Sequence, residues 1–346
     1  MTKVKVAVVI LNYNGKSFLE TYLPSVIAHS HNCEIYVADN GSNDDSLSFL
    51  KQCFPTVHLI DNKDNFGYAK GYNLALKEVN AEYYILLNSD VEVTFNWTDS
   101  IIKLMDSNKK VAACQPKILD LKNKHLFEYA GASGGFIDKY GYPFCRGRIF
   151  NTLETDEGQF DSCREVFWAT GACLFVRAES FWKVNGFDDD YFAHMEEIDL
   201  CWRLKNLGYS VYVEPASKVY HLGGGTLHKI SARKTFLNFR NNLSTLAKNH
   251  SPQFLFFKII FRMILDGAAA FKFLFDGQAK HFFAVIKAHI NFYYWLPSIL
   301  SKRSKQKKIE GFHYCKTHIY QKNIVFEYFL KGKSKFETLK GSFFAE

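Results

Sequence analysis

The stretch VAVVILNYNG, residues 6–15, carries the first sign of the fold. Its first six residues form an unbroken apolar run, as expected for a parallel strand that is covered on both faces. Asn12-Tyr13-Asn14-Gly15 follows at once, and a glycine lets the backbone approach a ligand closely. The run is too short for the core of a signal peptide, so we interpret it as a buried strand and expect a cytoplasmic protein.

The segments that follow alternate between helical and strand-like patterns. Predicted helices cover 16–29, 45–53 and about 71–79, and predicted strands cover 34–38, 57–61 and 83–87. This order predicts an α/β fold with a doubly wound, mostly parallel, Rossmann-like sheet, whose ligand site lies at the carboxyl ends of the strands. Farther along we expect loops or a small antiparallel excursion over 130–165, a strand at 171–177, a helix at 196–207 and a short strand at 211–214.

Polar residues follow three of the predicted strands. They are Asn12-Tyr13-Asn14-Gly15, Asp39-Asn40-Gly41-Ser42 and Asn88-Ser89-Asp90. Each group alone is compatible with a simple turn, but three at one sheet edge favour a nucleotide site, in which an Asp accepts from ribose hydroxyls or a base N–H. The segment NFGYAKGYN, 65–73, enters a helix and can present backbone amides and Lys70 to phosphate, although it matches neither the Walker loop nor GxGxxG.

Asp90 is the best metal candidate, because Mg²⁺ and Mn²⁺ prefer hard oxygen ligands, often one or two carboxylates plus substrate phosphates. His221, in the sequence YHLGGG, is expected to complete the site from a flexible glycine loop. A solitary histidine is more often structural, so this second ligand depends on the neighbouring glycines.

A carboxylate cluster, Glu196-Glu197-Ile198-Asp199, begins the helix predicted at 196–207. Acidic residues in a first helical turn are favoured by the helix dipole, which is explanation enough without catalysis. The cluster also supplies candidates for a general base. Glu196 and Asp199 share one helix face and Glu197 points elsewhere, so their roles need not be the same.

The chain changes character after residue 254. Six charged residues fall within an arc of about 120° when the segment is drawn as a helix, and most of the remaining surface is apolar; they are Lys258, Arg262, Asp266, Lys272, Asp276 and Lys280. We interpret this as an interfacial helix, or a pair broken near Gly267 or Gly277, with the basic cluster 302–308 reinforcing attachment to an anionic membrane. The alternative is an amphipathic appendage packed on the catalytic domain or on a second copy. The predicted organisation is a catalytic domain over 1–245 and a helical region over 246–346.

Taken together, the motifs resemble glycosyltransferase family 2, with its GT-A fold, and its rhamnosyltransferase-like branch in particular. The matching pieces are VVILNYNG (8–15), VADNGSNDDS (37–46), NFGYAKGYN (65–73), YILLNSD (84–90), ATGACLFVRAESF (169–181), GFDDDYFAHMEEIDLCWRLKNLGY (186–209) and VYHLGGGT (219–226). They span roughly residues 4–245 in the family's order, and their combination is highly specific.

The resemblance implies a role for each matching segment. The residues implied at the donor nucleotide are Asn12, Tyr13, Asn14, Asp39, Asn40, Asn65, Gly67, Asn73, Asn88 and Ser89. Asp90 would hold Mn²⁺ or Mg²⁺ on the diphosphate, helped by Asn88 and His221. Thr170, Gly171 and Ala172, with Trp168, would border the donor sugar and the acceptor. Glu197 falls where the family usually carries its catalytic Asp.

Two departures from the family pattern affect these roles. Glu197 is one methylene longer than the usual Asp, which leaves Glu196 and Asp199 as alternative bases. Asn88 replaces the first carboxylate of Asp-x-Asp and removes one negative charge from the metal site.

The implied activity is inverting transfer of a sugar from dTDP-rhamnose or a UDP-sugar to a glycan or lipid-linked acceptor at the inner membrane face. Rival interpretations are a catalytically degenerate nucleotide- or glycan-binding protein, a sugar nucleotidyltransferase and a glycoside hydrolase. The net charge of +8 suits anionic partners. Nucleic acid is not an expected partner, because the basic residues are dispersed and no recognised motif accompanies them. A homo-oligomer stays open.

Overall fold

The structure, a computed structural model, describes residues 4–223 and 231–344. A parallel half-sheet is built first along the chain from β1 (Val4–Asn12), β2 (Glu34–Asp39), β3 (His58–Asp61) and β4 (Ala81–Asn88), in the spatial order β3-β2-β1-β4. The connecting helices are α1 (Lys16–His29), α2 (Ser46–Cys53) and α3 (Gly67–Leu76). The apolar run of β1 is buried on both faces, so this part of the predicted α/β fold is confirmed.

The other half of the sheet mixes strand directions. β12 (Cys173–Arg177) runs antiparallel to β4 and to β6 (Val111–Asp120), and β13 (Ser210–His221) is parallel to β6. The edge strands β5 (Val91–Val93) and β11 (Arg164–Val166) pair antiparallel with β13. The order across the sheet is β11-β13-β6-β12-β4-β1-β2-β3. Three helices belong to this half: α4 (Asp99–Ser107), α5 (Ala178–Lys183) and α6 (Glu196–Lys205).

Two predictions for this half were incomplete. The strand predicted at 211–214 is the first part of β13, which continues to His221 with buried residues at every second position. Strand β6 was missed because it carries Gln115 and Lys117, which are polar and yet fully buried. The Lys117 ammonium lies 2.8 Å from Asp156 Oδ1, and such a pairing makes the burial of a charge possible.

A second, five-stranded sheet covers the region 135–153. It has the order β10 (Thr152–Leu153), β9 (Arg148–Ile149), β8 (Pro143–Cys145), β7 (Gly135–Asp138) and β14 (Ile319–Tyr320). The antiparallel excursion predicted for 130–165 is confirmed here. β14 comes from the far end of the chain and pairs parallel with β7, so the C-terminal region contributes a strand beside the catalytic half.

The C-terminal region is otherwise helical, with α7 (Ala232–Asn249), α8 (Leu255–Phe275), α9 (Ala279–Lys307), α10 (Ile324–Phe329) and two short 3₁₀ turns at Phe336–Thr338 and Gly341–Phe343. The chain breaks at Gly277, as predicted, and passes through Gly267 without a break. The boundary that we predict after residue 245 falls inside α7. Among the described residues no helix is long and apolar enough to cross a membrane.

Candidate active site

The polar ends of β1 and β2 meet in a buried pair. Asn12 Nδ2 donates to Asp39 Oδ2 at 2.9 Å, and Asp39 Oδ1 accepts from the Ser42 amide at 2.8 Å. Asn12 Oδ1 is buried and has no hydrogen-bond partner among the described residues. A Cβ on Gly15 would lie 2.4 Å from that oxygen, so only glycine leaves this space open. The unpaired acceptor points to a bound polar ligand at this sheet edge, because buried polar groups are normally satisfied.

The other residues predicted for the nucleotide surround this pair with loop contacts. Asn40 Nδ2 donates to Asn65 Oδ1 at 3.2 Å and to the Gly67 carbonyl at 3.1 Å. Asn14 accepts from the Asn43 amide at 2.7 Å. Tyr13 and Ser89 are half-buried at the same edge.

Asn73 lies apart from this group. Its amide donates to the Phe187 carbonyl at 2.9 Å and to Asp189 at 2.6 Å, and it accepts from the Phe187 amide at 2.9 Å. These bonds tie α3 to the loop before α6, so the structure gives Asn73 a linking role, and its part in nucleotide binding stays a prediction.

The predicted metal residues converge at the ends of β4 and β13. His221 Nε2 lies 3.1 Å from Asp90 Oδ1 and 3.3 Å from Asn88 Nδ2, and His221 Nδ1 lies 3.3 Å from Glu128 Oε1. Burial disfavours the charged imidazole, but the carboxylates of Glu128 and Asp90 outweigh it and raise the pKa of His221 to about 10. The expectation of a flexible loop was wrong for His221, which is the last residue of β13; the glycines at 224 and 225 lie outside the described residues.

This donor set fits a divalent cation that is shared with a ligand. The Asp90 carboxylate suits Mn²⁺ or Mg²⁺, which prefer oxygen ligands. His221 would add a ring nitrogen once the cation displaces its proton, and Glu128 would hold the second ring nitrogen as outer carboxylates commonly do. Residues 4–223 and 231–344 contain no cluster of three or more His, Cys, Asp or Glu able to hold an ion by themselves. Phosphate oxygens of a bound donor would therefore have to complete the coordination.

Thr170, Gly171 and Ala172 join the metal residues to the carboxylate cluster. The Ala172 carbonyl accepts from the Asn88 amide at 3.0 Å, and the Gly171 carbonyl accepts from Tyr68 Oη at 2.7 Å. Burial raises the pKa of Tyr68 well above its usual value, and the nearby charges of Tyr72, Glu196 and Glu197 add to the effect. The neighbouring Ala169 amide donates to Cys201 Sγ at 3.5 Å, so this segment packs against α6, the helix that carries both glutamates. Trp168 is buried, and its indole N–H donates to the Phe136 carbonyl at 2.9 Å.

Glu196 and Glu197 differ in their exposure and protonation. Glu196 is buried and Glu197 half-buried, and Oε2 of each is buried without a hydrogen-bond partner among the described residues. Burial raises the pKa of Glu197 to about 7, and burial together with the charge of Glu197 raises that of Glu196 well above its ordinary value. Carboxyl groups that hold a proton this strongly are suited to acid–base chemistry near neutral pH.

Asp199 lies in a different environment. Its carboxylate is fully buried and contacts Arg203 Nε at 2.8 Å, Lys248 Nζ at 2.9 Å and Asn249 Nδ2 at 2.7 Å. Two cations and an amide satisfy it, so its geometry is that of a structural ion pair joining α6 to α7. Glu196 and Glu197 remain as the candidates for the base.

The backbone before the glutamates is unusual. His194 and Met195 have φ values of 70° and 74°. These values lie in the left-handed region, which residues other than glycine rarely adopt. Asn241, fully buried in α7, donates to the carbonyls of Ala193 and His194 at 3.0 and 2.8 Å. Strained residues persist only where their surroundings hold them, and they cluster at functional sites.

Three residues of this arrangement were missed from the sequence. Tyr68 stands inside the motif NFGYAKGYN, whose repeated aromatic residues were a usable signal. Glu128 and Asn241 lie in segments with no motif around them, and only the tertiary structure brings them to the site.

Comparison with known proteins identifies the family. Residues 7–184, more than half of the chain, match the family model of glycosyl transferase family 2. The chain belongs to this family. Its activity is the inverting transfer of a sugar, in agreement with the resemblance found in the motifs.

Similar proteins include the N-acetylglucosaminyl-diphospho-decaprenol L-rhamnosyltransferase of Mycobacterium tuberculosis, 29% identical over 72% of this chain and 82% of the relative. Rhamnosyltransferase WbbL of Escherichia coli is 28% identical over 62% of this chain and 83% of its own. The dTDP-rhamnosyl transferase RfbF of Shigella flexneri is 26% identical over 67% and 77%.

Two solved structures share the fold. GalNAc-T7 with UDP, GalNAc and Mn²⁺ superimposes with a TM-score of 0.56 at 17% identity, over 72% of this chain and 49% of that one. Mannosyltransferase PcManGT from Pyrobaculum calidifontis, with GDP-Man and Mn²⁺, gives 0.51 at 13% identity, over 85% and 88%. At such identities the likeness shows the GT-A fold alone, and the predicted fold class is confirmed.

Proposed function

We propose that the protein is a divalent-cation-dependent transferase that moves a sugar from dTDP-rhamnose, or from a UDP-sugar, to a hydroxyl of a lipid-linked glycan. The named activities of the relatives support the deoxysugar and the lipid-linked acceptor. Two contacts support the mechanism. The Ala172 carbonyl accepts from the Asn88 amide, next to Asp90 and His221, and the Gly171 carbonyl accepts from Tyr68, whose pKa responds to the charges of Glu196 and Glu197.

Glu197 is the general base of this proposal. Glu197 is half-buried, and its pKa of about 7 lets it accept a proton from the acceptor hydroxyl near neutral pH. Glu196 is more deeply buried and holds its proton more firmly, because ionising both neighbouring carboxyls would be costly. The hydroxyl then attacks the anomeric carbon from the face opposite the diphosphate, and one displacement inverts the configuration.

The diphosphate leaves from the side of Asp90 and His221. A cation held there would neutralise the charge that develops on the departing diphosphate. Asp90 and His221 would bind it, Glu128 would orient the imidazole, and Asn88 would contribute its amide. Asn12 and Asp39 would hold the nucleoside through their remaining acceptor positions.

A donor panel tests the proposal. The full chain is incubated with dTDP-rhamnose, UDP-glucose, UDP-galactose, UDP-N-acetylhexosamines or GDP-mannose, each with Mn²⁺ or Mg²⁺ and with EDTA. Release of nucleoside diphosphate is scored with and without a membrane lipid extract. We expect release from one donor that requires both cation and extract. Nucleotide binding without turnover on any donor would instead support a degenerate binding protein.

A further inference from the structure

The polar side of helix α8 packs against the loop between β7 and β8. Arg262 and Asp266 are buried, and Arg262 Nε lies 3.0 Å from Asp266 Oδ1. The Arg262 guanidinium covers the Tyr142 ring at 3.4 Å, and Tyr142 Oη donates to Asp266 at 3.2 Å. His289 of α9 lies 3.5 Å from the same carboxylate. Two of the six charges of the predicted arc are therefore internal, where pairing compensates their burial, whereas Lys272, Asp276 and Lys280 are exposed.

The opposite side of α8 is apolar and exposed. Its large exposed side chains are Phe256, Phe257, Ile260, Ile264, Phe271, Leu274 and Phe275, with exposed fractions from 40% for Leu274 to 86% for Phe275. At 100° per residue all seven fall within an arc of about 100°, and no charged residue lies among them. An amphipathic helix on the surface of a globular protein normally buries its apolar side and exposes its polar side, which is the opposite of what α8 does.

Helix α9 continues this surface. It exposes Phe283, Ile286, Ile290, Tyr293, Tyr294 and Leu300. The two helices are antiparallel neighbours, because Phe271 contacts Phe282 at 5.6 Å between ring centroids while Tyr293 Oη lies 3.3 Å from Met263 Sδ. Phe282 also contacts Phe283 at 5.3 Å, so aromatic rings connect the exposed sides of both helices. We call the exposed apolar side chains of α8 and α9 the outer face.

Positive charge is concentrated around the outer face. The segment 255–308 contains ten Lys and Arg against two Asp, a net charge of +8, which equals that of the whole chain. Lys280 and Lys287 are exposed near the hairpin end, and Lys305, Lys307 and Lys308 are exposed at the end of α9. The predicted basic cluster is partly internal, since Lys302 is paired with Asp188 and Asp190 and Arg303 is buried.

We propose that the outer face docks on the surface of an anionic lipid bilayer, with α8 and α9 lying in the interface and their phenylalanines inserted among the lipids. Charge decides between the occupants: two copies meeting face to face would bring two strongly positive segments together, whereas anionic headgroups attract them. Tyr293 and Tyr294 suit the headgroup level, which favours rings with a polar end. Apolar insertion together with basic flanking residues is what binds interfacial helices to membranes.

Membrane docking extends the proposed function, because an enzyme that uses a lipid-linked acceptor has to reach that acceptor at the surface of a bilayer. It rests on that function only for its biological purpose. Vesicle binding needs neither donor nor acceptor, so a failure of docking and a failure of glycosyl transfer are measured separately.

The test is flotation of the full chain with vesicles of phosphatidylcholine alone or mixed with phosphatidylglycerol. We expect binding to the anionic vesicles and at least about tenfold weaker binding to the neutral ones. The triple variant Phe256→Ser, Phe257→Ser, Ile264→Ser removes three exposed side chains, so the fold should be retained. Its binding to anionic vesicles should fall at least about a hundredfold, because each inserted apolar side chain contributes roughly tenfold.

Phe95→Ser is the matched control. Phe95 is 69% exposed, like Phe257 at 67%, but it lies in the turn between β5 and α4. This variant should bind vesicles as the parent does. Equal vesicle binding by the triple variant and the parent, or no binding of the parent to anionic vesicles, would overturn the proposal. Light scattering would also overturn the proposal if it showed that the parent is a dimer and that the triple variant is a monomer. The outer face would then be the contact between two copies of the chain.

Discussion

Glu197→Gln changes the proposed base into a neutral side chain of the same shape, and two quantities should respond. Removal of a general base typically lowers the rate between about a hundredfold and ten-thousandfold. The rate of sugar transfer should therefore drop at least about a hundredfold. The free energy of unfolding, in contrast, should increase in the variant relative to the parent as the pH rises. The reason is that Glu197 binds its proton more firmly in the folded protein, with a pKa of about 7, than at its ordinary value of 4.5.

The sign and size follow from proton linkage. A raised pKa contributes stability that is complete below about pH 4.5 and is lost as the pH rises through about 7, because the folded protein then carries the negative charge of a carboxylate in a buried environment. One pKa unit corresponds to 1.36 kcal/mol, so the loss approaches about 3 kcal/mol above pH 8. Glutamine has no charge to bury. Glu197→Gln should therefore gain about 2 to 3 kcal/mol relative to the parent between pH 5 and pH 8.5.

The assay is denaturant unfolding of parent and variant at both pH values, together with nucleoside-diphosphate release from the best donor. Glu179→Gln serves as the control, since it makes the same change at an exposed first-turn carboxylate in α5. The control should keep its activity and the parent's pH profile. Substantial transfer by Glu197→Gln would refute the assignment of the base, and an unchanged pH dependence of unfolding would refute the buried proton.

Further predictions concern the cation and the backbone before the glutamates. Asp90→Ala should abolish cation-dependent nucleotide binding, measured by calorimetry with dTDP or UDP and Mn²⁺; binding as tight as in the parent would exclude Asp90 as a ligand. Glu128→Gln should weaken Mn²⁺ binding about ten- to a hundredfold in a paramagnetic resonance titration with nucleotide present, because His221 loses its orienting carboxylate. Asn241→Ala frees the carbonyl of His194 and should cost about 1 to 3 kcal/mol in unfolding and lower kcat, with little change in the KM of the donor. An Asn241→Ala variant with unaltered kcat would show that the loop holds its shape without this residue.

Local patterns were reliable where one segment buries its own apolar face. Helix α1 has the predicted bounds, and the first four strands were recognised. The clearest are β1 and β4, whose continuous apolar runs need only a sheet covered on both faces. The prediction failed at β6, where buried Gln115 and Lys117 break the apolar pattern. Those side chains are satisfied by residues distant in the chain, such as Asp156, which no local pattern reveals.

The sequence by itself determined the family, the parallel half-sheet and the polar groups at its strand ends, since strand topology brings those ends together wherever the loops lie. Only the tertiary structure distinguished Asp199, which is paired with Arg203, from Glu197, whose buried Oε2 has no hydrogen-bond partner in the part of the chain that the structure describes. It also decided which side of α8 faces outward. Helical periodicity separates a polar arc from an apolar one, but packing against Tyr142 selects the side that is buried.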